Sequence, residues 1–158
     1  MGRPEILDFD AANCTIGAAV AVLGERQTLL VLREAFNGVR RFDDMLRRTA
    51  MPRQVLAGRL ARLVDEGLLV KVPYQDSGQR RRHEYRLTEK GLDLYPVLVA
   101  LMHWGDKHAA GPAGPSMMLV HRDCGEPVAL QLTCAAGHTL ESARDVTPLP
   151  GPGARKLA

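Results

Sequence analysis

Residues 52–91 constrain the fold of this chain more tightly than any other stretch. From Pro52 to Glu66, Val55/Leu56, Leu60 and Leu63/Val64 recur at i, i+4 and i+8, one apolar stripe of a helix. Pro52 suits the start of that helix, where a missing N–H is no loss, and Gly67 closes it. Leu68 to Tyr74 and His83 to Leu87 alternate as strands do, with Asp76-Ser77-Gly78 as the turn between them. Thr88 stands as the N-cap of a further helix, with Glu89 in its first turn. Helix, hairpin and helix in forty residues leave the first helix one apolar side to bury and one side to present.

The flanking segments supply partners for that apolar side. Ala11 to Leu23 is rich in small and apolar residues and predicts a buried helix. Glu25 to Phe36 predicts a second, with Leu29, Leu30, Val31 and Leu32 inward, ended by Asn37-Gly38. Arg41 to Arg48 predicts a short third helix through Phe42, Met45 and Leu46, with Thr49-Ala50-Met51 as the turn into the Pro52 helix. The helix from Glu89 to about Ala109 holds Pro96, which predicts a kink. Aromatic residues are only 4% of the chain, so the core must rest on Leu, Val and Ala.

Gly111 to Pro115 reads as a linker. Met117–His121 and Val128–Cys134 predict two strands around a turn, a small β-hairpin extension over 111–147. The Pro- and Gly-rich end, 148–158, predicts a disordered tail, and residues 1–10 a loose arm.

Charge placement points to a polyanion. The net charge is only +3, yet between Arg40 and Arg62 seven arginines stand against two acids, Asp43 and Asp44. Arg80, Arg81 and Arg82 add a second cluster at the hairpin tip. Opposite its apolar stripe, the Pro52 helix carries Arg53, Gln54, Ala57, Gly58, Ala61 and Arg62. Arg and Gln suit guanine and adenine edges, and small residues let a helix approach a groove wall. Arg53 also opposes the positive end of its own helix dipole, which a phosphate would relieve. Arg41, Arg48 and Arg59 are expected on phosphates, setting register without reading sequence. The wing arginines are expected on the backbone or in an adjacent minor groove.

In this order the elements resemble the winged helix-turn-helix regulators of the HxlR type, a MarR-like group. The resemblance rests on Cys14 before an apolar helix, Leu23-Gly24-Glu25-Arg26, Thr28-Leu29-Leu30, Leu32-Arg33-Glu34 and Gly38 with Arg41-Phe42. It continues through Leu56 with Arg59-Leu60, Gly67-Leu68 and Tyr85-Arg86-Leu87-Thr88-Glu89-Lys90-Gly91. It covers about residues 10–109 and implies a mainly α, α+β fold: a winged helix-turn-helix domain over 11–110 with a long dimerisation helix. It further implies a homodimeric transcription regulator of double-stranded DNA, which we expect to be a repressor on a palindromic operator. The family usually has Trp where this chain has Gln27, so the packing there is expected to differ or to leave a polar pocket.

Two switches are open. The resemblance makes Cys14 a candidate sensor of oxidants or electrophiles, and a helix N-terminus favours a thiolate; the alternative is a small buried hydrophobe. A ligand pocket lined by Gln27, His103 and Trp104 is the competing device.

His121, Cys124, Cys134 and His138 are all metal-ligand types. Their spacing argues against a shared ion, because one uninterrupted strand from Val128 to Thr133 would set the pairs about 20 Å apart. No metal and no cofactor are expected. Three cysteines do not suggest a disulfide framework. No nucleophile elbow, phosphate loop or catalytic carboxylate pair is present, so an enzyme is not expected. No apolar run approaches the roughly 20 residues of a membrane span, and the first ten residues lack a signal-peptide pattern. The expected location is cytoplasmic, with no membrane partner. The alternative function is a winged-helix module that binds proteins without specific DNA binding.

Overall fold

The computed structural model describes residues 8–78 and 80–157 and divides the chain into two units, residues 22–110 and residues 1–21 with 111–158. Residues 1–7 of the expected N-terminal arm lie outside the described residues.

Unit 22–110 is built around α2 (Arg26–Phe36), α3 (Phe42–Thr49) and α4 (Arg53–Asp65). A hairpin of β1 (Leu69–Tyr74) and β2 (Arg82–Leu87) follows, then α5 (Glu89–Leu92) and α6 (Tyr95–His108). The α4 stripe falls where its periodicity puts it: Leu56, Leu60 and Leu63 are at most 1% exposed, packed with Val31, Leu32, Met45 and Met51. Burial of each such leucine contributes roughly 1.5–3 kcal/mol. The strands pair antiparallel from Leu69↔Leu87 to Tyr74↔Arg82. Residues 40–41 add to the β2 edge through Tyr85 N–H donating to the Arg40 carbonyl (2.8 Å) and an Arg41↔Glu84 bridge.

The helix stops are local chemistry. Gly67 (φ +70°) ends α4, with Leu68 N–H donating to the Leu63 carbonyl and Gly67 N–H to that of Val64. At the end of α2 only Gly38 takes the left-handed conformation (φ +79°), while Asn37 stays at φ −75°. Ala50, in the turn between α3 and α4, is left-handed without being glycine (φ 52°), an uncommon conformation at the end of α3, where Ala50 N–H donates to the Leu46 carbonyl at 3.0 Å.

Three expectations change. The helix after the wing is two helices: Pro96 sits in the first turn of α6, where its ring is tolerated, and α5 ends at Leu92. Glu34 and Thr28, both polar, are buried in α2 beside Val31 and Leu32, while Leu29 and Leu30 are half-buried. The first helix, α1 (Thr15–Leu23), buries no residue, leaving Ile16 73% and Val20 57% exposed. Among the described residues only Val22 and Leu23, at its end, pack partly against the core.

In the other unit, the expected long hairpin strands contract to a Val120↔Pro127 bridge and a two-residue pairing of β3 (Leu132–Thr133) with β4 (Thr139–Leu140). The glycines at 125 and 137, both at positive φ, turn the chain more tightly than alternation alone suggested. A short 3₁₀ turn, Ala143–Asp145, follows, its start capped by Ser142 and Asp145. The tail expected to be disordered meets the end of the arm: Phe9 bridges Lys156, and Asp10 N–H donates to the Arg155 carbonyl at 2.7 Å. Backbone pairing needs no particular side chain, so composition did not announce it. Among the described residues no single helix is long and apolar enough to cross a membrane.

Candidate nucleic-acid interface

α4 presents its expected DNA-reading face largely to solvent. Arg53, Gln54, Ala57, Gly58 and Ala61 are exposed, and Arg62 is half-buried. Its first turn contains no acid and its N-cap, Pro52, offers no side-chain cap. The N–H groups there therefore lack intrahelical and capping partners and suit an anion. Among the described residues outside its own helix backbone, a methyl group at Gly58 would meet no atom within 4 Å, so no packing there requires glycine.

The wing tip carries Arg80 and Arg81, both exposed. Gln79, next to them in the chain, lies outside the described residues. The wing is braced near its turn. Arg41 makes a two-pronged contact with Asp76 (3.0 and 3.1 Å) and lies 4.4 Å from the Tyr74 ring centre. The hydrogen bond to Asp76, with its charge, raises the Arg41 pKa above its ordinary value. Burial pushes the Tyr85 phenol up as well.

The arginines expected on phosphates are paired within the chain. Arg41 holds Asp76, Arg48 meets buried Glu34, and Arg59 reaches Glu25 at 2.5 Å. Arg62 shares Glu25 at 3.3 Å, and Arg47 pairs with Asp44 at 2.8 Å. Arg53 and Arg82 both approach Asp43, at 3.1 and 3.6 Å. The basic surface is therefore less positive than the run of arginines implies, because Glu25, Glu34 and Asp76 fold back onto it. Sequence reasoning missed these acids as site residues. Glu34 had a signal, since Leu32-Arg33-Glu34 puts an acid beside a buried stripe, where a carboxylate requires a cation.

Glu34 ties the helix-turn-helix together. Its side chain is fully buried and accepts from Arg33 Nε at 2.8 Å and from Arg48 of α3. This link fixes α3 against α2, and with it the turn that aims α4.

The candidate switch residues differ in exposure. Cys14 is exposed immediately before α1, so in a single chain it is not the buried hydrophobe of the alternative reading. Trp104 is 64% exposed and stacks on His108 (5.3 Å between ring centres). The His103 Nε2 is buried without a hydrogen-bond partner, and Gln27 is half-buried near the start of α2. Two surface hollows, of about 410 and 460 Å3, lie instead along the arginine face, and none of these three residues lines them.

In the other unit, His121 Nδ1 lies 3.2 Å from Cys124 Sγ, and His138 Nδ1 lies 3.5 Å from Cys134 Sγ. Among the described residues no three metal-ligating side chains gather. Backbone N–H groups of His138 and Ala136 lower the Cys134 thiol below its ordinary pKa.

Residues 22–111 match the HxlR-like helix-turn-helix family. The chain belongs to that family. It is similar to an uncharacterized HTH-type transcriptional regulator of Mycobacterium tuberculosis, 49% identical over 145 residues that cover 91% of this chain and 90% of the relative. The crystal structure of PA1607, described as a candidate transcription factor, superposes with a TM-score of 0.77 at 37% identity, covering 87% of this chain and 95% of that one. A second such factor, PA1374 of Pseudomonas aeruginosa, superposes with a TM-score of 0.61 at 35% identity, covering 90% and 95%. The HxlR-type chain is thus an HTH-type transcriptional regulator with a winged helix-turn-helix fold, and DNA is the partner that this class implies.

Proposed function

We propose that this HxlR-type chain is a cytoplasmic homodimeric repressor that reads a palindromic operator with α4 and steadies itself with the wing. The observation that carries this is the division of α4. Leu56, Leu60 and Leu63 are sealed in the core, while Arg53, Gln54, Ala57 and Gly58 face outward with small side chains at the centre. An N-terminal Arg and Gln over a small-residue surface match base edges in a major groove, and Arg80–Arg82 suit the flanking backbone.

Dimerisation is supported by apolar surface that one copy leaves in water. On α1 this is Ile16 and Val20; on α6 it is Val97, Leu101 and Trp104. A second copy covers such surface at no cost in polar desolvation, and a two-fold axis adds a second reading helix about 34 Å from the first. Selection of bound duplexes from a random pool tests the whole reading. A palindromic consensus is expected, with affinity falling steeply as salt rises. Binding that ignores salt, or a protein that stays monomeric at micromolar concentration in the ultracentrifuge, overturns it.

Cys14 is the switch we favour over a ligand pocket, because it is exposed and Trp104 is not enclosed. Peroxide or a quinone is expected to lower operator affinity of the wild type and to leave Cys14→Ser unaffected. Equal loss in both rules Cys14 out.

A further inference from the structure

α3, α4 and the wing meet on one carboxylate. Asp43 stands in the first turn of α3, Arg53 is the first residue of α4, and Arg82 opens β2. Asp43 Oδ1 accepts from Arg53 at 3.1 Å, while Oδ2 lies 3.6 Å from Arg82. The residue before Asp43 completes the grip: the Arg53 guanidinium lies 5.0 Å from the centre of the Phe42 ring. All of these groups line the hollow of about 460 Å3 between α4 and the wing.

Such a site is unexpected on a face that meets phosphates. A carboxylate within a Debye length, about 8 Å at physiological salt, repels every phosphate equally, whatever the sequence. Asp43 is 63% exposed, so the ion pairs themselves add little stability. Their effect is on order. Arginine is long and rich in rotamers, and its five N–H donors fit a guanine edge only when the fork is held in plane. The Arg53–Asp43 bond engages one of its terminal nitrogens, and Phe42 supports its flat face, which leaves other donors to point outward.

We propose that Asp43 is a specificity-determining positioning residue: it holds Arg53 for base reading and tempers phosphate attraction at Arg53 and Arg82. This rests on the reading of α4 as the DNA-recognition helix. Base contact then keeps the Asp43–Arg53 bond, while indiscriminate phosphate contact must compete with it. Asp43 thereby raises the ratio of specific to non-specific affinity and lowers overall affinity for random duplex.

The test compares wild type, Asp43→Asn and Asp44→Asn on two duplexes, one selected by the wild type and one scrambled version of it, across a range of salt. Asp44 is the matched control, because it stands in the same helix turn but pairs with Arg47. Asp44→Asn removes the same charge and is expected to raise affinity for both duplexes alike. Asp43→Asn is expected to bind the scrambled duplex more tightly, with a salt slope steeper by about 0.9 as one more phosphate is neutralised. Its specific-to-scrambled ratio is expected to fall about tenfold below that of Asp44→Asn, within the range of one bidentate base contact. Asp43→Glu is expected to recover part of the ratio. Circular dichroism confirms folding, and Asp43→Ser, a smaller neutral side chain in the first turn of α3, replaces the Asn variant should that one unfold. A ratio equal to that of Asp44→Asn overturns the inference while leaving the DNA reading intact. A wild type that selects no duplex removes the reading itself.

Discussion

Replacing Gly58 by alanine is expected to make the protein more stable and worse at binding DNA. Gly58 lies in the middle of the 13-residue α4 on its exposed face, and an added methyl meets no described atom within 4 Å beyond its own helix backbone. Glycine in such a position costs about 0.5–1 kcal/mol relative to alanine, through the backbone freedom lost on folding. No clash subtracts from that gain, so Gly58→Ala is expected to raise the unfolding free energy by about 0.5–1 kcal/mol. For a unit of this size that corresponds to roughly 2–8 °C in Tm, readable by thermal circular dichroism. On DNA the sign reverses. A methyl facing a groove wall acts as overpacking, worth about 1–3 kcal/mol, or roughly 5- to 150-fold in affinity. Fluorescence anisotropy on a selected duplex measures this beside Ala57→Gly, which is expected to lose stability. A variant that melts higher yet binds as tightly as wild type refutes the close approach at 58. One that fails to melt higher refutes the account of the helix itself.

Three further outcomes follow from the packing. Glu34→Gln keeps the volume but loses the charged hydrogen bonds to Arg33 and Arg48, and is expected to cost about 1.5–3 kcal/mol in urea unfolding; an unchanged midpoint contradicts the tie between α2 and α3. Gly91→Ala places its methyl 2.2 Å from the Leu68 carbonyl oxygen, which also accepts from Thr88 N–H, so it is expected to lose about 3 kcal/mol or more and to loosen the wing base; hydrogen exchange at β1 and β2 checks it. For Cys134, a lowered pKa means that thiolate survives at lower pH in the folded chain than in the unfolded one. Its iodoacetamide labelling, followed by mass spectrometry, is expected to reach half-maximal rate at lower pH in the native protein than in urea; equal midpoints negate the effect of the backbone N–H groups.

Much of unit 22–110 was legible in residue order. The spacing of Leu56, Leu60 and Leu63, the glycine at 67 and the alternation of the wing strands each act over a few residues, and each element formed within about a residue of its expected bounds. The outward side of α4 was legible for the same reason, since one apolar side of a helix defines the other. Where alternation was short or apolar character lacked a partner, local pattern misled. α1 looked buried because it is apolar, but burial depends on what covers a helix, and among the described residues only Val22 and Leu23 at its end gain partial cover from the core.

The charge balance of the arginine face was decided elsewhere. Residue order by itself determined where the helices and hairpin lie and which side of α4 is outward, because steric and hydrophobic periodicity repeat within a turn or a strand. It did not determine which acids meet which arginines. Glu25 and Arg59 are 34 residues apart, and Arg41 and Asp76 are 35 apart, yet each pair comes within hydrogen-bond distance. Coulomb attraction depends on separation in space and on exposure to water, both of which only the folded chain sets.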